Sequence, residues 1–380
     1  MSTSTTSARC EPALPTDPPV TRDRHQAQAH AQASLPELLA AGIALAVCLG
    51  ARLPHRLAEE LGIREWALAL VVAVVVVSVA RSLARAPFTL HRRTARGHGL
   101  LRWASGEVGT LLATFFVGAL VALPLYMLLR ATPRWWLVAW LASAAVTVAW
   151  QLAMPLLLQT RTGPPAPASG PLAGRLRDLA AQAEVDLPAG VMVATKDSSR
   201  GANAYVVGLG PTRRVVLEQA VAAWPPELVD QAVAHELGHV RLGHAARRLP
   251  LALGAQLASL AAAAAVLSWT PVLHLAGLRS AGDPASYPLL LAAGAVVVLP
   301  ARCLLAWHSR AQERAADRFA LRLLERPHDF TAMLRRAADE SSTPSRLPLW
   351  RRLTASHPPV DARAAASEAF LSTDFRPSGA

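Results

Sequence analysis

Two histidines at positions i and i+4, with a glutamate beside the first, form the segment His-Glu-Leu-Gly-His at 235–239. On an α-helix this spacing stacks both imidazole rings on one face, where they can bind one tetrahedral zinc ion. Glu236 then lies beside the water that such a metal would activate, and can accept its proton. We therefore predict that His235 and His239 are zinc ligands and that Glu236 is the catalytic base of a hydrolase.

A catalytic zinc ion uses three protein ligands and keeps one position open, so a third ligand is needed. The pattern that adds a glycine and a third histidine soon after the segment fails, because Leu242 and Ala245 occupy those places. His244 is poorly spaced for a ligand and fits better as a surface residue at the end of the helix.

Glu313 is the better candidate for the third ligand, because Asp317 follows it one turn later on the same helical face. From there Asp317 can accept the outer N–H of a zinc-bound imidazole and fix its tautomer. The alternative is a solvated helix face on which these carboxylates pair with Arg314 and Arg318. We predict one zinc ion per chain, with Glu313 as its third ligand.

The elements that hold these residues are predicted to lie in and beside a membrane. Of the 380 residues, 52% are hydrophobic and 17% are charged, a balance too apolar for an ordinary soluble domain. The formal net charge is +12, and it comes from arginine because Lys196 is the only lysine. The arginines cluster at the ends of apolar segments, where they would contact lipid headgroups rather than nucleic acid. We predict a lipid bilayer as a partner, and no nucleic acid.

Apolar runs with few charges predict membrane-spanning helices, which need about 20 residues to cross roughly 30 Å of hydrocarbon. We identify about six such runs, at 35–53, 66–80, 108–129, 135–158, 249–278 and 287–307. Arg302 interrupts the last run. Both a functional arginine facing a chamber above the zinc and an arginine that snorkels to the membrane surface fit its position.

The arginine distribution predicts the topology. The loop between the second and third spans is rich in arginine, whereas the loop between the third and fourth carries only Arg130 and Arg134. The positive-inside rule then places the N-terminus and the stretches 161–248 and 309–370 in the cytoplasm. The fifth and sixth spans form an out-and-back hairpin, so Glu313 returns to the membrane side that holds His235 and His239.

The predicted fold class is mainly α: a multi-span helical membrane protein with a cytoplasmic α+β catalytic domain of the zincin (gluzincin) type. Within that domain, short strands are expected at 190–194, 204–207 and 214–217, and a helix at 172–184. The chain is predicted to begin with a disordered cytoplasmic tail (1–34) and a four-helix transmembrane domain (35–160). The metallopeptidase domain follows in two parts (161–248 and 309–370), which are separated by a transmembrane hairpin (249–308). A C-terminal tail (371–380) ends the chain.

Further motifs make the chain resemble the integral-membrane zinc metallopeptidases, a group that includes the CAAX prenyl protease and the heat-shock protease HtpX. Beside the zinc segment, the matching stretches are Ser-Arg-Gly-Ala-Asn-Ala-Tyr-Val-Val-Gly at 199–208, Arg-Val-Val-Leu at 214–217, Ser-Arg at 309–310 with the Glu and Ala-Asp that follow, and His-Pro-Pro-Val-Asp-Ala-Arg at 357–363. Weaker matches at 86–88, 97–100 and 135–136 favour the CAAX prenyl protease branch.

The resemblance implies roles for further residues. Asn203 and Ala204 match the edge strand whose backbone pairs with an extended peptide substrate, although Asn203 also fits a turn. His357 is implied as a hydrogen-bond donor to the oxyanion of the tetrahedral intermediate, with Arg363 in support as part of the substrate-binding set. Helix capping or packing is the alternative for the His-Pro-Pro segment.

Taken together, these features predict an integral membrane zinc endopeptidase of a bacterial plasma membrane, acting on membrane-associated or lipidated proteins or peptides. Quality control of membrane proteins, as by HtpX, is an alternative with the same site and different substrates. A non-catalytic receptor or sensor that retains the peptidase fold is the alternative from another class. The presence of both Glu236 and Glu313 argues against that last alternative.

Overall fold

The structure is a computed structural model of the chain, and it describes residues 35–94, 99–162, 165–187, 190–195, 203–207, 213–341 and 349–374. The tail predicted at 1–34 lies outside the described residues. So do the stretch at 95–98 and the parts of the motif at 199–208 that flank 203–207. The predicted C-terminal tail is described only as far as residue 374, where it continues the last helix.

The chain begins with a run of helices. They are α1 (Leu35–Gly50), α2 (Leu53–Glu60), α3 (Trp66–Thr94), α4 (Leu100–Ala131) and α5 (Trp135–Thr162). After the strands described below come α8 (Pro226–Arg241), α9 (His244–Ser268), α10 (Thr270–Leu275), a 3-10 turn (Pro284–Ser286) and α11 (Tyr287–Leu324). The described chain ends with α12 (Pro327–Ser341), α13 (Leu349–Thr354) and α14 (Val360–Asp374).

In the part of the chain that the structure describes, five helices are long and apolar enough to cross a membrane. They lie in α3, α4, α5, α9 and α11, and they coincide with the second to sixth runs predicted from the sequence. Helix α1 has 16 residues and carries a shorter apolar segment, Leu39–Gly50. The predicted set of about six therefore consists of five full-length candidates and one short apolar helix.

The fifth predicted run at 249–278 is not one continuous helix. Helix α9 ends at Ser268, and α10 begins at Thr270 with Pro271 in its first turn. A proline lacks the backbone N–H that would extend the preceding helix, and Trp269 has extended backbone angles at the break. An apolar run without charge therefore overestimates the length of the spanning segment.

The apolar helices pack around a membrane core and present apolar side chains outward. Leu70, Val74, Tyr126 and Leu267 are buried in the core, whereas side chains such as Leu120 are exposed. Apolar exposure over whole helix faces is unfavourable in water and is expected in contact with lipid. These faces support the assignment to a membrane.

Polar side chains link α5 to α9 within the apolar segments. Gln256 Nε2 donates to Thr147 Oγ1 at 2.8 Å, and Ser143 Oγ donates to Gln256 Oε1 at 3.3 Å. Trp140 Nε1 donates to the Leu253 carbonyl at 3.0 Å. In hydrocarbon such interhelical hydrogen bonds hold helices together, because no water competes for them. They fix the wall of the cavity described below.

Beside the apolar helices lies a small sheet with its own helices. Its elements are β1 (Ala166–Pro167), α6 (Gly170–Gln182), β2 (Val191–Val193), β3 (Ala204–Val207), β4 (Arg214–Leu217) and α7 (Gln219–Ala222). The strand order is β1-β2-β4-β3, with β2 parallel to β4 and the other two pairs antiparallel. Strand β1 was not among the strands expected from the sequence.

Helix α8 forms the centre of this layer. Its apolar face, with Val229, Val233 and Leu237, packs into a core shared with Leu176 and Phe330. Pro226 lies in its first turn, where the missing N–H costs no hydrogen bond. Helix α8 also packs on α11, and His235 and His239 lie on the part of α8 that faces α11.

Helix α11 has 38 residues and is about 57 Å long at 1.5 Å per residue. The hydrocarbon core of a bilayer is only about 30 Å thick, so α11 extends well beyond it. Its N-terminal half is apolar, and its C-terminal half packs on α8 and carries Glu313 and Asp317. Arg302 lies between these halves with an exposed side chain and does not line the cavity, which favours the snorkelling interpretation.

Candidate metal centre

Three side chains from α8 and α11 converge at one point. His235 Nε2 lies 3.2 Å from His239 Nε2. Glu313 completes the triangle, with Oε2 at 3.5 Å from His235 Nε2 and Oε1 at 3.4 Å from His239 Nε2. Among the residues that the structure describes, these three have ligand atoms close enough together to hold one metal ion.

The geometry fits a tetrahedral metal ion. With metal–ligand distances of about 2.0–2.1 Å, neighbouring ligand atoms of a tetrahedron are about 3.3–3.4 Å apart, close to the separations observed. The donor set of two imidazoles and one carboxylate suits zinc. The electrostatics also favour a cation. Burial opposes charge on His235, but Asp317 and Glu313 outweigh it and raise its pKa to about 9.

The outer nitrogen of His235 has a carboxylate partner. His235 Nδ1 lies 2.9 Å from Asp317 Oδ1, the arrangement anticipated from the sequence. Arg363 holds Asp317 in place, donating from Nε to Oδ2 at 2.8 Å and from Nη2 to Oδ1 at 2.6 Å. Burial alone would lower the pKa of Arg363, but the hydrogen bonds to Asp317 outweigh this effect and raise it. The charges of this buried pair are therefore maintained.

Arg363 thus faces Asp317, although the sequence comparison grouped it with substrate-binding residues. It also lines the cavity described below, so a role towards substrate remains a prediction. His357 lies with Nδ1 2.9 Å from Glu313 Oε2. Its side chain is 66% exposed against 7% for Glu313, so His357 reaches the centre from the open side.

Glu236 lies between the two histidines in sequence and lines the same cavity. Burial raises the pKa of its carboxyl group, and the neighbouring His235 and His239 lower it in part. A carboxylate with a raised pKa is a better proton acceptor than an ordinary surface glutamate.

The outer nitrogen of His239 contacts another histidine, which the sequence did not predict. His239 Nδ1 is hydrogen-bonded to His244 Nδ1 at 2.7 Å. His244 is buried, so the prediction of a surface position at the end of the helix was wrong. The reason is Gly243, whose positive φ of 64° allows a tight turn between α8 and α9, after which the His244 carbonyl meets Gln312 of α11.

A cavity of roughly 840 Å³ opens at the metal centre. Asn203 and Ala204, at the start of β3, line one side, and Glu218 N donates to the Asn203 carbonyl at 2.9 Å. Strand β3 is the last in the sheet order. Thr147 of α5 and Ala252 of α9 also line the cavity. The cavity therefore joins the metal centre to an edge of the sheet and to the membrane helices.

Helices α8 and α11 share a cluster of two histidines and one glutamate, and α11 is also one of the apolar spans. This combination defines the architecture of a membrane metallopeptidase. The chain belongs to peptidase family M48, whose model matches residues 169–370. That match covers strands β2 to β4, both ligand-bearing segments and the His357–Arg363 region.

Two similar proteins support this assignment. The chain is 26% identical over 231 residues to the uncharacterized metalloprotease YhfN of Bacillus subtilis (strain 168), which is 59% of this chain and 54% of that protein. The chain thus spans about half the length of this curated relative. The fold is similar to the crystal structure of S. mikatae Ste24p, with a TM-score of 0.62, 16% identity, and coverage of 80% of this chain and 77% of that one. The family resemblance read from the sequence is confirmed.

Close packing of α8 on α11 depends on Gly238. A Cβ placed there would lie 3.2 Å from Ala316 Cα and 3.1 Å from Phe319 Cδ1. We expect Gly238→Ala to push the two helices apart and to lower the free energy of unfolding by about 1–3 kcal/mol. The midpoint of thermal unfolding in detergent measures this effect.

Gly254→Ala is the matched control, because a Cβ at that position on α9 meets nothing within 4 Å. It should unfold at or slightly above the wild-type midpoint, since alanine favours a helix over glycine. A Gly238→Ala protein with an unchanged midpoint would show that the helices are not closely packed at this point.

Proposed function

We propose that the chain is a zinc-dependent endopeptidase that hydrolyses peptide bonds of membrane-associated proteins or peptides, including lipidated ones. The observation that carries the proposal is the triangle of His235, His239 and Glu313 at tetrahedral separations, with Glu236 beside it and an open cavity in front. Three protein ligands and one open position are typical of a catalytic rather than a structural zinc site.

His235, His239 and Glu313 would hold the ion. A bound zinc ion would lower the pKa of a water molecule towards ~7 and polarise the scissile carbonyl. Glu236 accepts the proton of the attacking water and passes it to the leaving amine. Asp317, itself held by Arg363, keeps the proton of His235 on Nδ1, so that Nε2 is free to bind a metal.

The cavity supports a mode of substrate binding. An extended peptide laid along β3 would pair with the backbone near Asn203 and Ala204, and the scissile bond would lie over the ligand triangle. His357 enters from the exposed side of the centre and can donate a hydrogen bond to the oxyanion that forms.

The membrane helices support the substrate class. Thr147, Gln151 and Ala252 line the same cavity as the metal ligands, so a substrate held at the bilayer reaches the centre without leaving the membrane surface. The arginine distribution supports a bacterial plasma membrane protein whose N-terminus and metal-binding domain lie on the cytoplasmic side.

Metal analysis and peptide cleavage test the proposal together. Purified protein should contain about one zinc ion per chain and should cut an unstructured reporter peptide in proteoliposomes. A chelator should reduce cleavage to background, and added zinc should restore it, because the ion is held by side chains that remain in place. The same reporter with an acyl anchor should be cut more efficiently than the soluble form.

Protein that binds no zinc after reconstitution would disprove the ligand set. Cleavage that continues after complete removal of the metal would disprove the mechanism. A soluble reporter that is cut as well as the anchored form would remove the membrane-associated substrate class and leave the peptidase activity intact.

A further inference from the structure

The two histidine ligands have different partners at their outer nitrogens. His235 Nδ1 lies beside the carboxylate of Asp317, whereas His239 Nδ1 lies 2.7 Å from His244 Nδ1. Two ring nitrogens at this distance share a single proton, so one donates and the other accepts. The identity of the donor decides whether His239 can bind a metal.

His244 is fixed independently of this contact. It is buried and is the first residue of α9, directly after the turn at Gly243. Its backbone carbonyl accepts a hydrogen bond from Gln312 Nε2 at 3.1 Å, and the same amide nitrogen lies 3.0 Å from His308 Nε2. Gln312 precedes Glu313 on α11. His244 is therefore held against both helices that carry the ligands.

A histidine that binds a metal through Nε2 must carry its proton on Nδ1. His239 then donates to His244, and His244 must present Nδ1 as an unprotonated acceptor. We propose that His244 is a positioning residue that holds His239 in the metal-binding tautomer, as Asp317 does for His235. His244 is not itself a ligand, because its Nδ1 contacts the outer nitrogen of His239. The inference rests on the zinc site proposed above.

Two substitutions separate the acceptor from the bulk of the side chain. His244→Leu removes the acceptor and keeps an apolar side chain of similar reach. His244→Asn places a carbonyl oxygen close to the position of Nδ1 and retains an acceptor. Zinc affinity, measured by competition with a chelator of known affinity, should fall by about 10–100-fold in His244→Leu. His244→Asn should stay within a few-fold of the wild type.

His274→Leu is the matched control, since His274 is exposed on α10 and does not line the cavity. It should bind zinc like the wild type. Equal affinity of His244→Leu and the wild type would overturn the inference. Equal weakness of His244→Leu and a well-folded His244→Asn, judged by the unfolding midpoint, would also overturn it. A wild-type protein that binds no zinc would instead defeat the proposed ligand set.

Discussion

Replacing Glu236 with glutamine is expected to reduce peptide cleavage by about 10³-fold or more while leaving the zinc content unchanged. Glutamine has nearly the same shape as glutamate but cannot accept a proton from the attacking water. Glu236 is not one of the three residues whose ligand atoms converge, so its charge is not needed to hold the metal. The effect should therefore fall on turnover rather than on metal binding.

The measurement compares turnover and zinc per chain for the two proteins, prepared in the same way. Glu227→Gln is the matched control, because it makes the same chemical change at an exposed position in the first turn of the same helix. That variant should keep wild-type turnover. If Glu236→Gln retained more than about a tenth of wild-type activity, Glu236 would not be the principal base.

Replacing Glu313 with glutamine should weaken zinc binding by at least about 100-fold, with cleavage lost in parallel. An amide oxygen is a much poorer ligand than a carboxylate, and the two imidazoles alone provide no negative charge to offset that of the cation. Glu313 is 7% exposed and lies against His235, His239 and His357, so its side chain is held at the ligand position.

Chelator competition measures this effect, and Glu325→Gln serves as the control at the exposed end of the same helix. Glu313→Asp adds a test of distance, because it keeps the charge but shortens the side chain by one methylene. We expect its affinity to lie between those of the wild type and Glu313→Gln. A Glu313→Gln protein with wild-type zinc affinity would require a different third ligand.

Much of the fold was accessible from the sequence, because the governing signals are local. Long runs without charge located the spans in α3, α4, α5, α9 and α11, and short apolar runs rich in valine located β2, β3 and β4. The proximity of Glu313 to His235 followed from topology alone, since two consecutive spans return the chain to the same side of a membrane.

Other features depend on contacts that no local pattern records. The short strand β1 is held by its antiparallel partner β2, and its own two residues are alanine and proline. The position of His244 depends on the turn at Gly243 and on the approach of α11. A glycine immediately before His244 was the available signal, because it permits a tight turn where the helix ends.

Helix α11 is a single helix that runs from the apolar spans to the metal centre. Movement of its membrane half therefore affects the position of Glu313 in its other half. When the thickness of a bilayer changes, spanning helices adjust by tilting, and a tilt of about 10° displaces a point 15 Å further along the axis by about 3 Å. Zinc–ligand bonds tolerate only about 0.2 Å. Helix α8 must therefore travel with α11, through the contact at Gly238, for the coordination sphere to survive changes in the thickness of the surrounding lipid.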